Sequence, residues 1–323
     1  MIKQLDQKDK KILKELENNC RQSSTQIAKK VGLSKDAVNY RIKNLEKEKI
    51  INGYYAVLNI TKLGFITYKL MITFQNTNIN IEKGIISYLQ KSPHVGWLVS
   101  CDGNYNLMVV TWVKNELVFN NFLVDFLKRY GKYIKQRDVL VIIENHSSRK
   151  AYLFGEKSNS EQDVFYGNER ESIIDEKEWK TLQLFSNNAR TSLYEIANKL
   201  NLTGEAMAHR IKQLQKRNII QALRPIINTH LLGYQYHNIL FKLKRFDNIE
   251  KIFYFFKHHP NIIYFVKYLG SYDLGIDLEV KNAEQLREIL QDIKNKFSDD
   301  IESYSSVLVY QEHKLSYLPN KKD

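Results

Sequence analysis

The chain has 323 residues, of which 43% are hydrophobic, and a formal charge of +13 from 49 Lys+Arg against 36 Asp+Glu. This length suits two to four small domains, and the basic excess favours a polyanionic partner, although a solvated surface would give the same composition. Only two cysteines are present, which excludes a disulfide framework and a Cys-based zinc site. No segment has the roughly 18 apolar residues of a membrane span, and Met1–Lys14 is unlike a signal peptide. We therefore expect a cytoplasmic protein with no membrane partner.

Three short helices are predicted at the start of the chain. Asp6–Glu17 has apolar residues at helical spacing, and Ser23–Gln26 forms an S-x-x-Q capping box at the start of a second helix. That helix breaks at Gly32, and Ser34 can cap a third helix that runs to about Lys49. Two short helices, a glycine turn and a capped third helix are typical of a helix-turn-helix, whose last helix enters the major groove of DNA.

The third helix has a buried stripe and an opposite, polar stripe. Val38, Ile42 and Leu45 lie on the buried side. The opposite side carries candidate DNA-contacting residues, of types that bind base edges or phosphates: Lys35, Asp36, Asn39, Tyr40, Arg41, Lys43 and Lys47. The alternative is a packing module with a solvated basic face. The alternation of residues 50–60 around Asn52-Gly53 indicates a hairpin-like wing, which favours DNA contact.

The next hundred residues predict a ferredoxin-like βαββαβ unit. The predicted elements are strand Thr67–Phe74, helix Ile81–Gln90, strands Val95–Cys101 and Tyr105–Val113, helix Leu117–Tyr130 and strand Arg137–Ile143. A sheet with both helices on one face must have its other face covered. Because the pattern recurs over Tyr236–Gln311, we expect the two sheets to cover each other.

The whole arrangement occurs twice. Residues 5–53 align without gaps with residues 174–222, a shift of 169, and about 20 of these 49 positions are identical. Farther on, GNYNL (Gly103–Leu107) aligns with GSYDL (Gly270–Leu274). We call residues 1–154 copy one and residues 173–323 copy two. The predicted boundaries are helix-turn-helix domains at 1–60 and 173–229, ferredoxin-like domains at 61–154 and 230–323, and a linker at 155–172. The fold class is therefore α+β.

The second helix-turn-helix has a smaller and less basic candidate surface. Gly204 and Ala208 stand where copy one has Lys35 and Asn39, and Glu205 stands where it has Asp36. The candidate DNA contacts of copy two are His209, Arg210 and Lys212. The second helix-turn-helix either binds different bases or has lost its function. Two helix-turn-helix domains about 34 Å apart would suit half-sites one helical turn apart, and unequal helices predict unequal half-sites.

The chain resembles the Lrp/AsnC family, twice over. The resemblance rests on Leu5-Asp6, the segment Ile27–Tyr54, Leu63-Gly64 and the GNYNL/GSYDL pair. It implies a transcriptional regulator that binds double-stranded DNA, pairs through its ferredoxin-like (RAM-type) domains, often assembles further, and responds to an amino acid or a similar small effector. A tandem chain would be a covalent pseudo-dimer. The implied effector-binding residues are Gly103, Asn104, Tyr105, Asn106, Gly270, Ser271, Tyr272 and Asp273, which could instead form strand turns and pack the sheet.

A sister branch of the same architecture, the sirohaem decarboxylases, gives the competing interpretation. It implies a tetrapyrrole between the sheets with His and Arg on its carboxylates, and a W-P-Y-N-L signature after H-C-Y. Here the segment Val99–Leu107 shares only Y-N-L with that signature. We therefore expect a regulator that is not an enzyme and has no catalytic residue, cofactor or metal.

Overall fold

The computed structural model describes residues 2–155, 164–167 and 170–320. Copy one has the predicted order of three helices, a strand and a βαββαβ unit. Its elements are α1 (Gln7–Asn18), α2 (Ser24–Val31), α3 (Lys35–Lys47), β1 (Ile51–Leu58), β2 (Ile66–Phe74), α4 (Ile79–Lys91), β3 (Val95–Gly103), β4 (Leu107–Val113), α5 (Glu116–Tyr130) and β5 (Ile134–Ser147).

Copy two repeats this order after a short strand, β6 (Val164–Tyr166). Its elements are α6 (Glu176–Asn187), α7 (Leu193–Lys199), α8 (Gly204–Lys216), β7 (Ile220–Ile227), β8 (Gln235–Leu243), α9 (Ile249–His258), β9 (Ile262–Leu269), β10 (Leu274–Val280), α10 (Ala283–Phe297) and β11 (Ile301–Leu315). The predicted α+β fold class and its duplication are confirmed. Among the described residues, no helix is both long and apolar enough to cross a bilayer.

The helices begin where their capping residues predict. The Ser23 side chain accepts the Gln26 N–H and the Gln26 side chain accepts the Ser23 N–H, which completes the predicted capping box. Ser34 accepts the Ala37 N–H at the start of α3. Between these helices Gly32 ends α2 at φ +68°, a left-handed conformation that favours glycine. These local signals set the turn between α2 and α3.

The predicted wing hairpin around Asn52-Gly53 was wrong. Ile51–Leu58 forms one continuous strand, and its partner is not its own chain neighbour but β7 of copy two. The two strands run antiparallel, with a register shift between Ile51 and Gly53. The alternation of residues 50–60 was therefore correct for a strand, but the Asn-Gly pair marks an irregularity in the ladder rather than a hairpin turn.

The two helix-turn-helix domains share one hydrophobic core. It includes Leu13 and Leu45 of copy one together with Leu182 and Leu214 of copy two, and all four side chains are almost fully buried. The β1–β7 ladder joins the two domains above this core. The pair is consequently one folded unit, which holds α3 and α8 at a fixed separation.

The strands of the two ferredoxin-like domains form a closed ring. Their order is β2-β4-β3-β11-β8-β10-β9-β5, and β5 pairs back onto β2. Closure depends on two long strands: β5 pairs with β2 up to Val141 and then with β9 up to Ser147. In the same way β11 pairs first with β8 and then with β3. The predicted last strand Arg137–Ile143 was too short, because its continuation pairs with the other copy.

Each sheet packs its helices on the outside and faces the other sheet on the inside. Phe122 and Phe126 cover the sheet of copy one, and Phe253 and Phe256 cover that of copy two. A third cluster, with Met71, Val99, Leu240 and Val266, lies between the sheets. The expectation that the two sheets cover each other is confirmed.

A pseudo-twofold axis passes between the copies, and equivalent residues meet on it. Tyr55 lies opposite Arg224 in the β1–β7 ladder, and both have the same position in the repeat. Between the sheets, buried Lys69 donates to Asn238 at 2.9 Å, again two equivalent positions. A homodimer would place like residues at these points, whereas this chain places a cation opposite a neutral side chain.

The predicted linker is in part ordered. Within residues 155–172, β6 pairs with β5 through Asn145 and Tyr166, and the Ser172 N–H donates to the Lys62 carbonyl at 2.9 Å. The rest of that prediction, residues 156–163 and 168–169, lies outside the described residues.

We expect Asn238→Lys to destabilise the protein by about 3–5 kcal/mol, because it places two lysines opposite each other in the interior. Urea denaturation would measure this loss. The exchanged pair Lys69→Asn/Asn238→Lys restores one cation and one amide and should recover much of the stability. A single variant as stable as the wild type would contradict the axis contact.

The stability of the fold should fall as the pH decreases from 6.5 to 4. Burial lowers the pKa of His146, which stacks on Phe265 at 4.3 Å, to about 4. Below pH 6.5 the unfolded chain binds a proton on this histidine, whereas the folded chain does not until about pH 4. The free energy of unfolding should therefore fall by about 3 kcal/mol or less for this one histidine. His146→Phe should flatten this decline in urea titrations at several pH values. Parallel profiles for variant and wild type would contradict the assignment.

Candidate DNA-binding surface and effector loops

The candidate face of α3 is exposed and basic. Lys35, Lys43 and Lys47 are exposed, and Tyr40 retains 67% of its accessible surface. Within the described part of the chain, the three lysines have no ion-pair or hydrogen-bond partner. Asp36 is also exposed, whereas half-buried Asn39 accepts a hydrogen bond from Ser24 at 2.5 Å. Free ammonium groups on one helix face are suited to phosphate contact.

Arg41 lies at the edge of this face and is held by the first helix. Its guanidinium donates to Asp6 at 2.6 Å and to Asp9 at 2.8 Å. The Asp9 backbone N–H and this guanidinium lower the pKa of Asp6. Arg210 makes the equivalent bond to Asp175 at 2.5 Å in copy two. Arg41 therefore holds α3, and Arg210 holds α8, against the first helix of its own domain, and neither guanidinium extends freely into solvent.

The corresponding face of α8 carries smaller side chains. Gly204, Glu205 and Ala208 are exposed, and His209 and Lys212 are the exposed candidate contacts. Lys212 and Lys216 are equivalent to Lys43 and Lys47, so the two helices share two exposed lysines, whereas Lys35 is replaced by Gly204. The structure thus brings the candidate residues of each copy onto one helix face, and the faces are chemically unequal.

The two helix-turn-helix domains are joined by reciprocal backbone contacts. The Cys20 N–H donates to the Leu223 carbonyl at 2.8 Å, and the equivalent Ala189 N–H donates to the Tyr54 carbonyl at 3.0 Å. Arg21 adds hydrogen bonds of 2.7 Å to two carbonyls of copy two, and Arg190 lies 4.9 Å from the Tyr54 ring centroid. Sequence reasoning missed these interface residues, although the identity of Arg21 and Arg190 at equivalent positions was visible.

The proposed effector loops lie where the copies meet. Gly103, at φ +124°, lies so close to β11 that a Cβ atom would be 2.9 Å from the Ser306 carbonyl oxygen. Gly270, at φ +146°, makes the equivalent approach to the Val139 carbonyl. Glycine is needed at both points, because a side chain would separate the copies. Asn104 donates to Ser305 at 2.8 Å, and Ser271 is exposed.

Asn106 and Asp273 have the same local role. Asn106 accepts the Phe74 N–H at 2.8 Å, and Asp273 accepts the Leu243 N–H at 2.8 Å. Each therefore caps the end of the first strand of its own sheet. The difference between amide and carboxylate, which suggested two unlike effector loops, leaves this contact unchanged.

Tyr105 and Tyr272 meet on the pseudo-twofold axis. Their hydroxyl oxygens are 3.2 Å apart, and the Tyr105 hydroxyl also donates to Asp138 at 2.9 Å. Burial, followed by these two hydrogen bonds, raises the pKa of Tyr105. The loops are thus in contact with each other, and a ligand that moved one would move the other.

A buried polar junction connects the helix-turn-helix pair with the sheets. Glu17 of α1 is almost fully buried, and burial raises its pKa against the opposing effect of Arg224. Arg224 lies 3.3 Å from the Ser147 hydroxyl at the end of β5. Next to it, Lys150 forms a 2.7 Å ion pair with buried Glu279 of β10. Nothing in the local pattern of these residues signalled this junction, since its members come from four separate elements.

Comparison with known proteins agrees with this architecture. A family model described as winged helix-turn-helix DNA-binding matches residues 5–52 and again residues 174–221. The chain is 34% identical over 113 residues to the HTH-type transcriptional regulator LrpA of Pyrococcus horikoshii, an alignment that covers 77% of LrpA and 34% of this chain.

The chain belongs to the Lrp/AsnC family of transcriptional regulators.

A second relative is the transcriptional regulator AzlB of Bacillus subtilis, 29% identical over 124 residues, which are 79% of AzlB and 38% of this chain. Both relatives thus align over less than half of the present chain. Since the winged helix-turn-helix matches twice, the tandem organisation expected from the repeat is confirmed.

The expectation that this chain is not an enzyme is contradicted. The crystal structure of the siroheme decarboxylase NirDL matches with a TM-score of 0.67 over 98% of this chain and 94% of that chain. Its sequence identity is 13%, so the likeness is one of fold. Because an enzyme has this fold over its whole length, the architecture gives no reason to exclude catalysis.

We expect Tyr105→Phe to lower the free energy of unfolding by about 1 kcal/mol, since it removes the hydroxyl that contacts half-buried Asp138 and Tyr272. Urea denaturation would measure the loss, and Tyr40→Phe, at an exposed tyrosine, serves as the control with no change. Equal stabilities of both variants would show that the axis contact contributes nothing.

Proposed function

We propose that this member of the Lrp/AsnC family is a sequence-specific DNA-binding transcriptional regulator that acts as a covalent pseudo-dimer. The observation that supports it most directly is the β1–β7 ladder, which joins two winged helix-turn-helix domains into one unit. A single chain then has what other DNA-binding proteins obtain from two subunits, namely two recognition helices on one support.

The two recognition helices would bind unlike half-sites. The face of α3 has Lys35, Asn39 and Lys43, whereas α8 has Gly204, Ala208 and Lys212 at the same positions. Copy one would therefore make more base and phosphate contacts than copy two. The operator would consist of a strong and a weak half-site about one helical turn apart.

A small effector, such as an amino acid, would act at the loops around Tyr105 and Tyr272. Both loops pack on the fourth strand of the other copy, so a ligand there would change the contact between the copies. Assembly of several chains stays a prediction from the family, and light scattering of the purified protein tests it.

Fluorescence anisotropy on short genomic duplexes, including the chain's own promoter, tests DNA binding. We expect tight binding to a subset of duplexes that weakens steeply with salt, because released counterions contribute to the affinity. Lys43→Ala should weaken binding about threefold to tenfold and reduce the salt slope by about one. The matched variant Lys212→Ala should have a smaller effect. Equal affinity for all duplexes, unchanged by the salt concentration, would overturn the proposal.

A second candidate function is tetrapyrrole chemistry, favoured by the fold shared with NirDL along the whole chain. NirDL has also been solved with an iron-uroporphyrin III analogue. Between the sheets of the present chain, buried Lys69 is held by Asn238 and Tyr268, and half-buried Asp277 accepts a hydrogen bond from Asn238. A lysine already engaged beside a carboxyl group does not fit a polycarboxylate.

Titration with sirohaem, followed at the Soret band, decides this second candidate. A saturable shift at one sirohaem per chain would establish tetrapyrrole binding, and an unchanged spectrum at excess sirohaem would remove it. The DNA assay is independent of this titration, so either function can fail without the other.

A further inference from the structure

A cavity lies at the joint between the helix-turn-helix and the ferredoxin-like domain of copy two. Its volume is about 350 Å³, at the lower end of the range for small-molecule sites. Its lining includes Tyr152, Tyr234, Asn261, Lys281 and Gln285. The two tyrosine rings meet edge to face at 4.7 Å between centroids, so the cavity combines aromatic walls, two amides and one ammonium group.

Lys281 has a counterpart in copy one, Lys114, within the shared segment Val-Lys-Asn. Lys114 donates to the Leu63 carbonyl at 2.8 Å and lies 4.1 Å from the Phe65 ring centroid. Lys281 donates to the equivalent Leu232 carbonyl at 3.2 Å and lies 4.2 Å from the Tyr234 ring centroid. The two lysines are thus placed alike.

The two lysines differ in their anionic partner. Glu171 lies against Gly64 and pairs with Lys114 at 3.5 Å. The residue equivalent to Glu171 in the repeat is Ile2, which lies against Gly233 in the same manner. Ile2 offers no charge, and within residues 2–155, 164–167 and 170–320 no carboxylate lies within ion-pair distance of Lys281.

The nearby carboxylate, that of Glu279, already has its own cationic partner. Glu279 is buried, pairs with Lys150 at 2.7 Å and accepts a hydrogen bond from Thr229 at 2.7 Å. It also accepts the Tyr152 hydroxyl. An anion beside Lys281 would therefore meet a satisfied ion pair rather than a free carboxylate.

We propose that the cavity binds a small aromatic carboxylic acid, whose carboxylate takes on Lys281 the place that Glu171 takes on Lys114. The ring packs against Tyr152 and Tyr234. The Gln285 side-chain N–H₂ donates to the carboxylate, since the Gln285 oxygen already accepts the Lys281 backbone N–H and the Asn261 N–H₂ already donates to the Glu279 carbonyl. This site is separate from the Tyr105 and Tyr272 loops. We expect occupation of the cavity to change DNA affinity, because the segment Leu232–Tyr234 connects the second helix-turn-helix to its sheet. This expectation rests on the proposed function.

Isothermal titration of the full-length chain with benzoate, and with benzamide as its neutral counterpart, tests the site. We expect one benzoate per chain and affinity for benzamide lower by about tenfold or more, because only benzoate forms a charge-assisted bond. Equal affinities, or no benzoate binding at 10 mM as an order-of-magnitude limit for a site of this kind, would overturn the proposal.

Three variants locate the binding. Lys281→Gln removes the cation, and Ile2→Glu supplies the missing internal carboxylate, so both should weaken benzoate binding by about tenfold or more. The matched control Lys114→Gln should bind benzoate like the wild type. Far-UV circular dichroism confirms folding of each variant. Benzoate binding that survives Lys281→Gln, or is lost in Lys114→Gln, would place the ligand elsewhere. DNA anisotropy without benzoate tests the regulator separately.

Discussion

The structure depends on one constraint: a residue that lies on the pseudo-twofold axis must face the equivalent residue of the other copy. A polar or apolar side chain can face a copy of itself, as Tyr105 and Tyr272 do at 3.2 Å between hydroxyls. A buried cation cannot, because two like charges in a low-dielectric interior repel strongly. At two further points on the axis, Lys69 faces Asn238 and Tyr55 faces Arg224. Fusion of the copies permits these unequal pairs, and the interior charges follow from it.

The same axis explains how the sheets close. The fourth strand of each ferredoxin-like domain continues past its own sheet and pairs with the edge of the other, β5 with β9 and β11 with β3. Edge strands with free backbone groups invite unwanted pairing, and this exchange removes them. Since β5 also leads to Lys150 and the buried junction, the strand that closes the ring connects the sheets to the helix-turn-helix pair.

Local signals in the sequence were enough to predict most helices and strands. They were not enough to predict contacts between residues that lie far apart in the sequence. The capping box of Ser23 and the left-handed Gly32 are determined by neighbouring residues, and both were found in the structure. Asn52-Gly53 favours a hairpin locally, but Gly53 pairs with Ile226 of β7, 226 − 53 = 173 residues away, and the ladder forms instead. Helical periodicity placed Arg41 correctly at the edge of α3, yet it contains no information about Asp6 and Asp9. Lys281 likewise lacks the carboxylate that Lys114 finds in Glu171, because the equivalent residue is Ile2, far away in the sequence.

The unequal axis pairs make the duplication hard to reverse. If recombination deleted one copy, the remaining one would have to pair with itself. Copy one alone would bring Lys69 against Lys69 in the interior, and copy two alone would bring Arg224, 3% exposed here, against Arg224. Each half has thus acquired a residue that only the other half can accept. Loss of either copy would therefore leave like charges facing each other at the axis, and this favours retention of both copies in the gene.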